Sequence, residues 1–364
     1  MIGIMNFYKA DNFGAVLQCY ALQQTIELMG EKSEVVNYEC KYITKHYKLL
    51  HTTSLTQLAS DMVYLFDHFL KKKEFEKFRL KYLTVSKQEY NRNTIYNTNQ
   101  IYDIFITGSD QVFNYKCSGF DYSFFLDFVC ENNDKCAYGA SYGFSEIPIA
   151  YKKKYRELLQ DFKYLSFREN VGVEITEELL ARKTLNVIDP TLLAPKKVWD
   201  FDCPIKYKRY ILVYMLERSN TLLNFTKNLS KKTGLEVIYI GSLVRGHRNG
   251  LKAKFLGHES PEEFVCLFKN AEYVVTNSFH GTAFSIIFHR QFFTEMLQHG
   301  GETNNRFTSL LEQLGLVERI MNSENAECII DRKIDYEDVE MRLDDLRRAS
   351  ADYLKKICTA TREE

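Results

Sequence analysis

The stretch MIGIMNFYKADNFGAVLQCYALQQTIELMGEKSEVVNY (Met1–Tyr38) decides the fold class. Met1–Phe7 is predicted to be a buried strand, which the polar turn residues that follow bring to an end. Apolar residues then recur at helical spacing over Ala15–Met29, and a second strand is predicted over Glu34–Tyr38. A strand, a turn, a helix and a further strand form the opening of a doubly wound α/β domain.

The same alternation restarts in the second half of the chain, where apolar strands over Tyr210–Met215 and Tyr273–Thr276 are separated by amphipathic stretches. Between the two halves lies a segment with prolines and several charges. The sequence therefore predicts two Rossmann-like units, divided as an N-terminal α/β domain over residues 1–195, an interdomain segment over 196–208, a C-terminal α/β domain over 209–335 and a C-terminal helix over 336–364.

Length and composition agree with this division. The chain has 364 residues, 45% of them hydrophobic and 26% charged, which suits about two globular domains with sizeable cores. Lys and Arg total 48, as do Asp and Glu, so the formal net charge is +0. This balance argues against a protein that coats nucleic acid or an anionic membrane, although it leaves room for a small cationic pocket.

The cysteines and the N-terminus predict the compartment. The nine cysteines are scattered without any Cys-x-x-Cys pair, so we expect free thiols and neither a zinc site nor a disulfide framework. The N-terminus lacks a basic segment followed by a long apolar one, as a signal peptide requires. No apolar run is long enough to span a bilayer. We therefore expect a cytoplasmic protein.

Four polar segments directly follow predicted strands, and open α/β sheets bind their ligands at that edge. The first carries Asn12. The second carries Ser109, Asp110 and Gln111, whose hydroxyl, carboxylate and amide groups can orient sugar hydroxyls, and Asp110 could also act as a base. The competing interpretation of both segments is a plain turn whose side chains cap the next helix.

The third segment, Ser166–Asn170, presents Arg168 beside Glu169. These two side chains form either a surface ion pair of little energetic value or a site in which Arg168 offers its guanidinium to a carboxylate or phosphate.

The fourth segment, Thr276–Phe284, ends a predicted strand in hydroxyl and amide groups and then opens a helix with His280 and Gly281. The glycine lets a ligand approach the backbone amides, and a helix N-terminus attracts anions, so His280 stands where a phosphate would bind. The competing interpretation is a histidine with a purely structural role. Arg306, which precedes a further predicted helix, is either an anion-binding or a solvated side chain.

In this order, the segments resemble the polysaccharide pyruvyl transferase family over roughly residues 1–320. The matching pieces are Asn12–Gln18, Thr107–Asn114, Ser141–Gly143, Ser166–Glu169, Asp189–Leu193, Asn277–Ser285 and Asn305–Phe307. The resemblance implies a glycosyltransferase-B-like architecture, with two α/β domains facing each other across a cleft. It also implies phosphoenolpyruvate as donor, a pyruvyl ketal bridging two hydroxyls of a sugar as product, and no metal or other cofactor.

The resemblance also implies roles for the site residues. His280 is identified with the catalytic histidine as general acid/base, and Asp110 is a second catalytic candidate. The predicted donor-binding residues are Arg168, Arg306, Ser278, Asn277, Gly281 and Thr282. The predicted acceptor-binding residues are Asn12, Asp11, Ser109 and Gln111. We expect the acceptor to be a lipid-linked or nucleotide-linked sugar of a surface polysaccharide, such as a capsule or exopolysaccharide, which would bring the enzyme to the inner membrane face.

One position departs from the pattern that the resemblance implies. Many members of the family have an arginine two residues before the catalytic histidine, where this chain has Ser278. Either Arg306 or Arg168 supplies the missing positive charge, or the donor differs. Two other classes remain open: a glycosyltransferase that takes a nucleotide sugar on the same fold, and a non-catalytic carbohydrate-binding protein, which the 24 tyrosines would suit.

Overall fold

The computed structural model describes residues 1–46, 55–202, 206–241, 251–297, 304–322 and 329–360. The chain packs as two compact units. The first unit comprises Met1–Tyr47, Leu80–Pro195 and Leu343–Glu364, and the second comprises Lys48–Arg79 and Lys196–Arg342.

The first unit is built on a parallel sheet of six strands in the order β2-β1-β3-β4-β5-β6. Their bounds are β1 Ile2–Met5, β2 Ser33–Val35, β3 Ile104–Gly108, β4 Asp134–Ala140, β5 Tyr164–Phe167 and β6 Leu185–Asn186. The strand order reverses between β1 and β3, and such a switch point opens a crevice at the carboxyl ends of the two strands.

The second unit is built on a parallel sheet of five strands in the order β11-β10-β7-β8-β9. Their bounds are β7 Tyr210–Tyr214, β8 Glu236–Ile240, β9 Lys254–Leu256, β10 Tyr273–Thr276 and β11 Gln291–Thr294. Here the order reverses between β7 and β10, so this sheet has its own switch point.

Helices connect the strands. Within the described residues they are α1 Phe13–Leu28, α2 Lys41–His46, α3 Leu55–Tyr82, α4 Tyr115–Ser118, α5 Ile149–Leu159, α6 Asn170–Leu180, α7 Pro190–Leu193, α8 Asn220–Thr233, α9 Pro261–Asn270, α10 Phe279–Ile287, α11 Asn305–Gln313 and α12 Tyr336–Thr359. Helix α1 is apolar on nearly every side and is accordingly buried along most of its length. No helix of the described residues is long and apolar enough to cross a membrane.

Much of the aromatic content serves the two cores. In the first unit Tyr142 stacks on Phe167, with ring centroids 5.1 Å apart. In the second unit the single Trp199 is fully buried, with its ring 5.0 Å from that of Phe284. These contacts are the ordinary packing of large rings in a dense interior.

The predicted fold class, two Rossmann-like α/β units with a C-terminal helix, is confirmed. The two units differ from the predicted division in that residues 48–79 group with the second unit and residues 343–364 with the first. The segment 196–208, predicted to be interdomain, belongs to the second unit. Among the cysteines that the structure describes, six are free, but Cys266 is disulfide-bonded, so the prediction of free thiols is wrong at that position.

Candidate active site

A cavity of about 260 Å³ opens at the carboxyl edge of the first sheet, at its switch point. Asn12, which follows β1, and Asp110 and Gln111, which follow β3, all line it. They meet there because β1 and β3 are parallel neighbours. The structure therefore brings together three of the residues predicted from the sequence.

The other walls of this cavity include residues that the sequence did not single out. Tyr42 lies on α2, and Lys116 lies on α4. The Lys116 side chain is exposed and forms no ion pair with a described residue. Both residues lie outside the polar segments that follow strands, so no sequence pattern marked them.

Asp110 is held at the cavity by its backbone and by two partners. Its φ is 55°, a left-handed conformation that is uncommon outside glycine and that Asp tolerates better than most residues. Its carboxylate accepts a hydrogen bond of 2.9 Å from the backbone N–H of Gln111 and lies 3.5 Å from the guanidinium of Arg168. The carboxylate is thus oriented from both sides.

Arg168 forms the centre of a buried ion-pair network behind Asp110. Its side chain is fully buried and its Nη1 lies 2.7 Å from Asp189, whereas Glu169 lies 3.8 Å away. Ser109 donates a hydrogen bond of 2.9 Å to the same Asp189 oxygen. Burial lowers the pKa of Arg168, but the surrounding carboxylates raise it more strongly, so the net shift is upward. Arg168 therefore stays charged and is committed to Asp189.

The predicted site residues of the first unit fall into two groups, those that line the cavity and those that do not. The predicted donor role of Arg168 stays a prediction, and the structure adds that Arg168 lies in the same unit as Asn12 and Asp110. Neither Ser109, which is buried in the network, nor Asp11 is among the residues that line the cavity. Asn12 caps α1 by accepting a bond of 3.2 Å from the Ala15 amide, so it is both a helix cap and a cavity residue.

The second candidate region is the turn at the carboxyl end of β10. Ser278 is the N-cap of α10 and accepts a hydrogen bond of 3.3 Å from the Gly281 amide. Thr276 donates a bond of 2.6 Å to the Tyr214 carbonyl and accepts one of 3.0 Å from the Ser278 amide. A Cβ on Gly281 would come within 2.4 Å of the Thr276 hydroxyl, so this turn requires glycine there.

Two further side chains of the turn are engaged within the protein. The Asn277 amide accepts a bond of 2.7 Å from the Leu216 backbone and donates one of 2.7 Å to the Glu217 carbonyl, which ties the ends of β7 and β10 together. The Thr282 hydroxyl bonds that of Thr294 at 3.2 Å. Both side chains hold the turn in place, and their predicted contact with the donor stays a prediction.

His280 and Arg306 meet at one aromatic ring. His280 lies on the first turn of α10, 8% exposed, with its ring 5.3 Å edge-on from that of Phe279. The guanidinium of Arg306, on α11, lies 5.7 Å from the centroid of the same Phe279 ring. The structure thus places the predicted histidine and one predicted cation in the same unit, close to one helix N-terminus.

Two parallel Rossmann-like sheets, each with polar side chains at the carboxyl edge of its switch point, define a glycosyltransferase-B-like α/β protein. The model of the polysaccharide pyruvyl transferase family matches residues 12–294. The chain belongs to that family and is a transferase.

Solved structures support the fold. The chain is similar to S. aureus MnaA, solved with UDP, at 12% identity and a TM-score of 0.54, over 100% of this chain and 97% of that one. It is similar to the Methanocaldococcus jannaschii UDP-GlcNAc 2-epimerase, solved with UDP-GlcNAc and UDP, at 13% identity and a TM-score of 0.51, over 99% of both chains. At these identities the likeness shows the fold alone. None of the curated proteins matches the chain.

Proposed function

We propose that this transferase moves pyruvate from phosphoenolpyruvate to two hydroxyls of one sugar and so forms a pyruvyl ketal during the synthesis of a surface polysaccharide. The family membership supports this reaction class. The observation that carries the proposal is His280 on the first turn of α10, with Arg306 against the neighbouring ring.

The donor fits the second unit by charge. Phosphoenolpyruvate carries a phosphate and a carboxylate, and the N-terminus of a helix such as α10 favours anions through its backbone amides. Arg306 adds a positive charge near that terminus and takes the place of the arginine that the family pattern has at position 278. The neutral Ser278 then serves as the helix cap.

The reaction follows from the chemistry of the donor. His280, acting as a general acid, gives a proton to the methylene carbon, and positive charge develops at the adjacent carbon. The oxygen of one sugar hydroxyl bonds to that carbon and loses its proton. The carbon–oxygen bond to phosphate then breaks, and phosphate leaves with the electron pair. The second hydroxyl bonds to the same carbon and loses its proton, which closes the ketal.

The acceptor is assigned to the cavity of the first unit. Asp110 is proposed as the base that receives a hydroxyl proton, and Arg168 is assigned to positioning Asp110 because it is paired behind it. The amides of Asn12 and Gln111 are suited to orient neutral hydroxyls. No metal or organic cofactor takes part in these steps.

Lys116 supports a phosphate-linked acceptor. It is an exposed cation in the wall of the cavity, and a sugar linked to a lipid or nucleotide carries phosphate at its reducing end. An acceptor carried by a lipid would also bring the enzyme to the inner face of the membrane.

The proposal is tested by incubating the full chain with phosphoenolpyruvate and candidate glycans and detecting the mass gain of a pyruvyl ketal. We expect His280→Asn to lower the rate by about 10²–10⁴-fold, because general acid catalysis contributes on that scale. The matched control is His289→Asn in the same unit, since His289 contacts Glu340 at 2.6 Å and asparagine tolerates its φ of 55°.

A binding measurement separates this donor from a nucleotide sugar. Phosphoenolpyruvate should raise the melting temperature of the chain, and uridine or guanosine diphosphate should not. Stabilisation by a nucleoside diphosphate alone, with no ketal formed, would favour a glycosyltransferase and contradict the proposal.

A further inference from the structure

We propose that Tyr42 is the platform on which the sugar next to the pyruvylated one stacks when the acceptor is a longer glycan. This inference deepens the proposed function and rests on it.

A second cavity of about 450 Å³ adjoins the first within the same unit. Tyr42 is the residue that lines both cavities, so its side chain forms their shared wall. The first cavity, at about 260 Å³, is smaller than the roughly 300–1,000 Å³ of pockets that hold drug-sized ligands. It is therefore suited to a single sugar, and a longer glycan would continue past Tyr42.

The Tyr42 ring is supported as a stacking surface. Tyr42 is 47% exposed. Its ring lies directly on Gly119, where a Cβ would approach the ring atom Cγ to 2.4 Å, and the φ of 63° also favours glycine there. An aromatic ring held in this way offers an apolar face to the C–H face of a sugar.

The second cavity carries groups suited to neutral hydroxyls. Asn91 and Asn93 line it, and the Asn93 side-chain amide makes no hydrogen bond to a described residue. Arg92 is committed to Asp127 at 2.5 Å and so acts within the protein. Amide groups both donate and accept hydrogen bonds, as the hydroxyls of a saccharide do. The oxygens of a purely anionic ligand only accept them, so the amides match a saccharide better.

The test uses the full chain, labelled and applied to an array of glycans from monosaccharides to tetrasaccharides without phosphoenolpyruvate. We expect binding to strengthen with chain length. Tyr42→Ala should weaken the binding of the longer glycans about tenfold and change monosaccharide binding by less than about twofold. Tyr42→Phe should retain most of the preference, because it keeps the ring.

The matched control is Tyr96→Ala, because Tyr96 is equally exposed at 49% in the same unit and is not among the residues that line either cavity. Circular dichroism confirms that each variant is folded. Equal binding of short and long glycans, equal losses in Tyr42→Ala and Tyr96→Ala, or no glycan binding at all would overturn the inference.

The proposed function fails in a different way. Length-dependent binding that requires Tyr42, without ketal formation from phosphoenolpyruvate, would overturn the proposed reaction and leave the role of Tyr42 intact. Ketal formation on monosaccharides as fast as on longer glycans would overturn the role of Tyr42 and leave the proposed reaction intact.

Discussion

The side chains at the carboxyl edges of the two sheets are held by different kinds of interaction. At the first, Arg168 is fully buried and paired with Asp189, and Asp110 lies against the same guanidinium. At the second, the turn after β10 is held by neutral hydroxyl and amide groups, and the carboxyl of Glu259, after β9, has its pKa raised by burial to about 7. The comparison shows that one edge fixes its geometry by ion pairing, whereas the turn at the other edge is held by hydrogen bonds between neutral groups.

Breaking the ion pair of the first edge should have the largest effect on stability. Asp189→Ala leaves Arg168 buried beside only its more distant carboxylates, and loss of one partner of a buried pair costs about 3–5 kcal/mol. We expect the free energy of unfolding to fall by that amount in urea denaturation followed by circular dichroism.

The control for this prediction is Asp161→Ala, an exposed aspartate of the same unit, which should change the free energy of unfolding by less than about 0.5 kcal/mol. If Asp189→Ala cost no more than Asp161→Ala, the ion pair would not be the device that fixes the first edge.

Glu259 should give the second edge a pH dependence of stability. One of its carboxylate oxygens is buried without a hydrogen bond to a described residue, and burial is the main cause of its raised pKa, with Glu263 adding to it and Lys71 opposing it. The folded state therefore holds this proton more tightly than the unfolded state, so stability is lost as the pH rises from about 4.5 through about 7.

Glu259→Gln removes that ionisation. We expect the variant to be more stable than the parent by about 1–3 kcal/mol at pH 8 and nearly equal to it at pH 4, where the carboxyl is protonated in both states. Urea midpoints at the two pH values measure the difference. The control is Glu236→Gln, because Glu236 is an exposed glutamate of the same unit. If Glu259→Gln gained the same stability at both pH values, the pH dependence could not be assigned to the ionisation of Glu259.

The sequence predicted the features of both edges that depend on residues close together in the chain. The strands that lead to both edges, and the hydroxyl and amide turn before His280, follow from apolar periodicity and from residues close together in the chain. Strands β9 and β11 were not predicted. Strand β9 has only three residues, and the turn before β11 uses His289 at a φ of 55°, where no glycine marks it.

The side-chain partners could not be predicted because they come from different strands. Glu169, the sequence neighbour of Arg168, is the more distant partner at 3.8 Å, whereas Asp189 follows another strand and lies at 2.7 Å. Tyr42 joins the cavity through the packing of its ring on Gly119, a contact between residues far apart in the chain. Such contacts depend on the register of the whole sheet, which a local pattern does not contain.

We expect the smallest effect on stability at the turn after β10, which neutral groups hold in place. Ser278→Ala removes an N-cap hydrogen bond, which should lower the free energy of unfolding by about 1 kcal/mol. Ser278→Gly should lower it by only a few tenths of a kcal/mol. Ser219→Ala, the equivalent cap of α8, is the matched control, because Ser219 accepts a bond of 3.1 Å from the Leu222 amide. If Ser278 only caps the helix, both alanine variants should lose similar stability and leave the KM for phosphoenolpyruvate unchanged. A rise in KM for Ser278→Ala alone would mean that its hydroxyl contacts the donor, and the neutral edge would then bind through its side chains as well as its backbone.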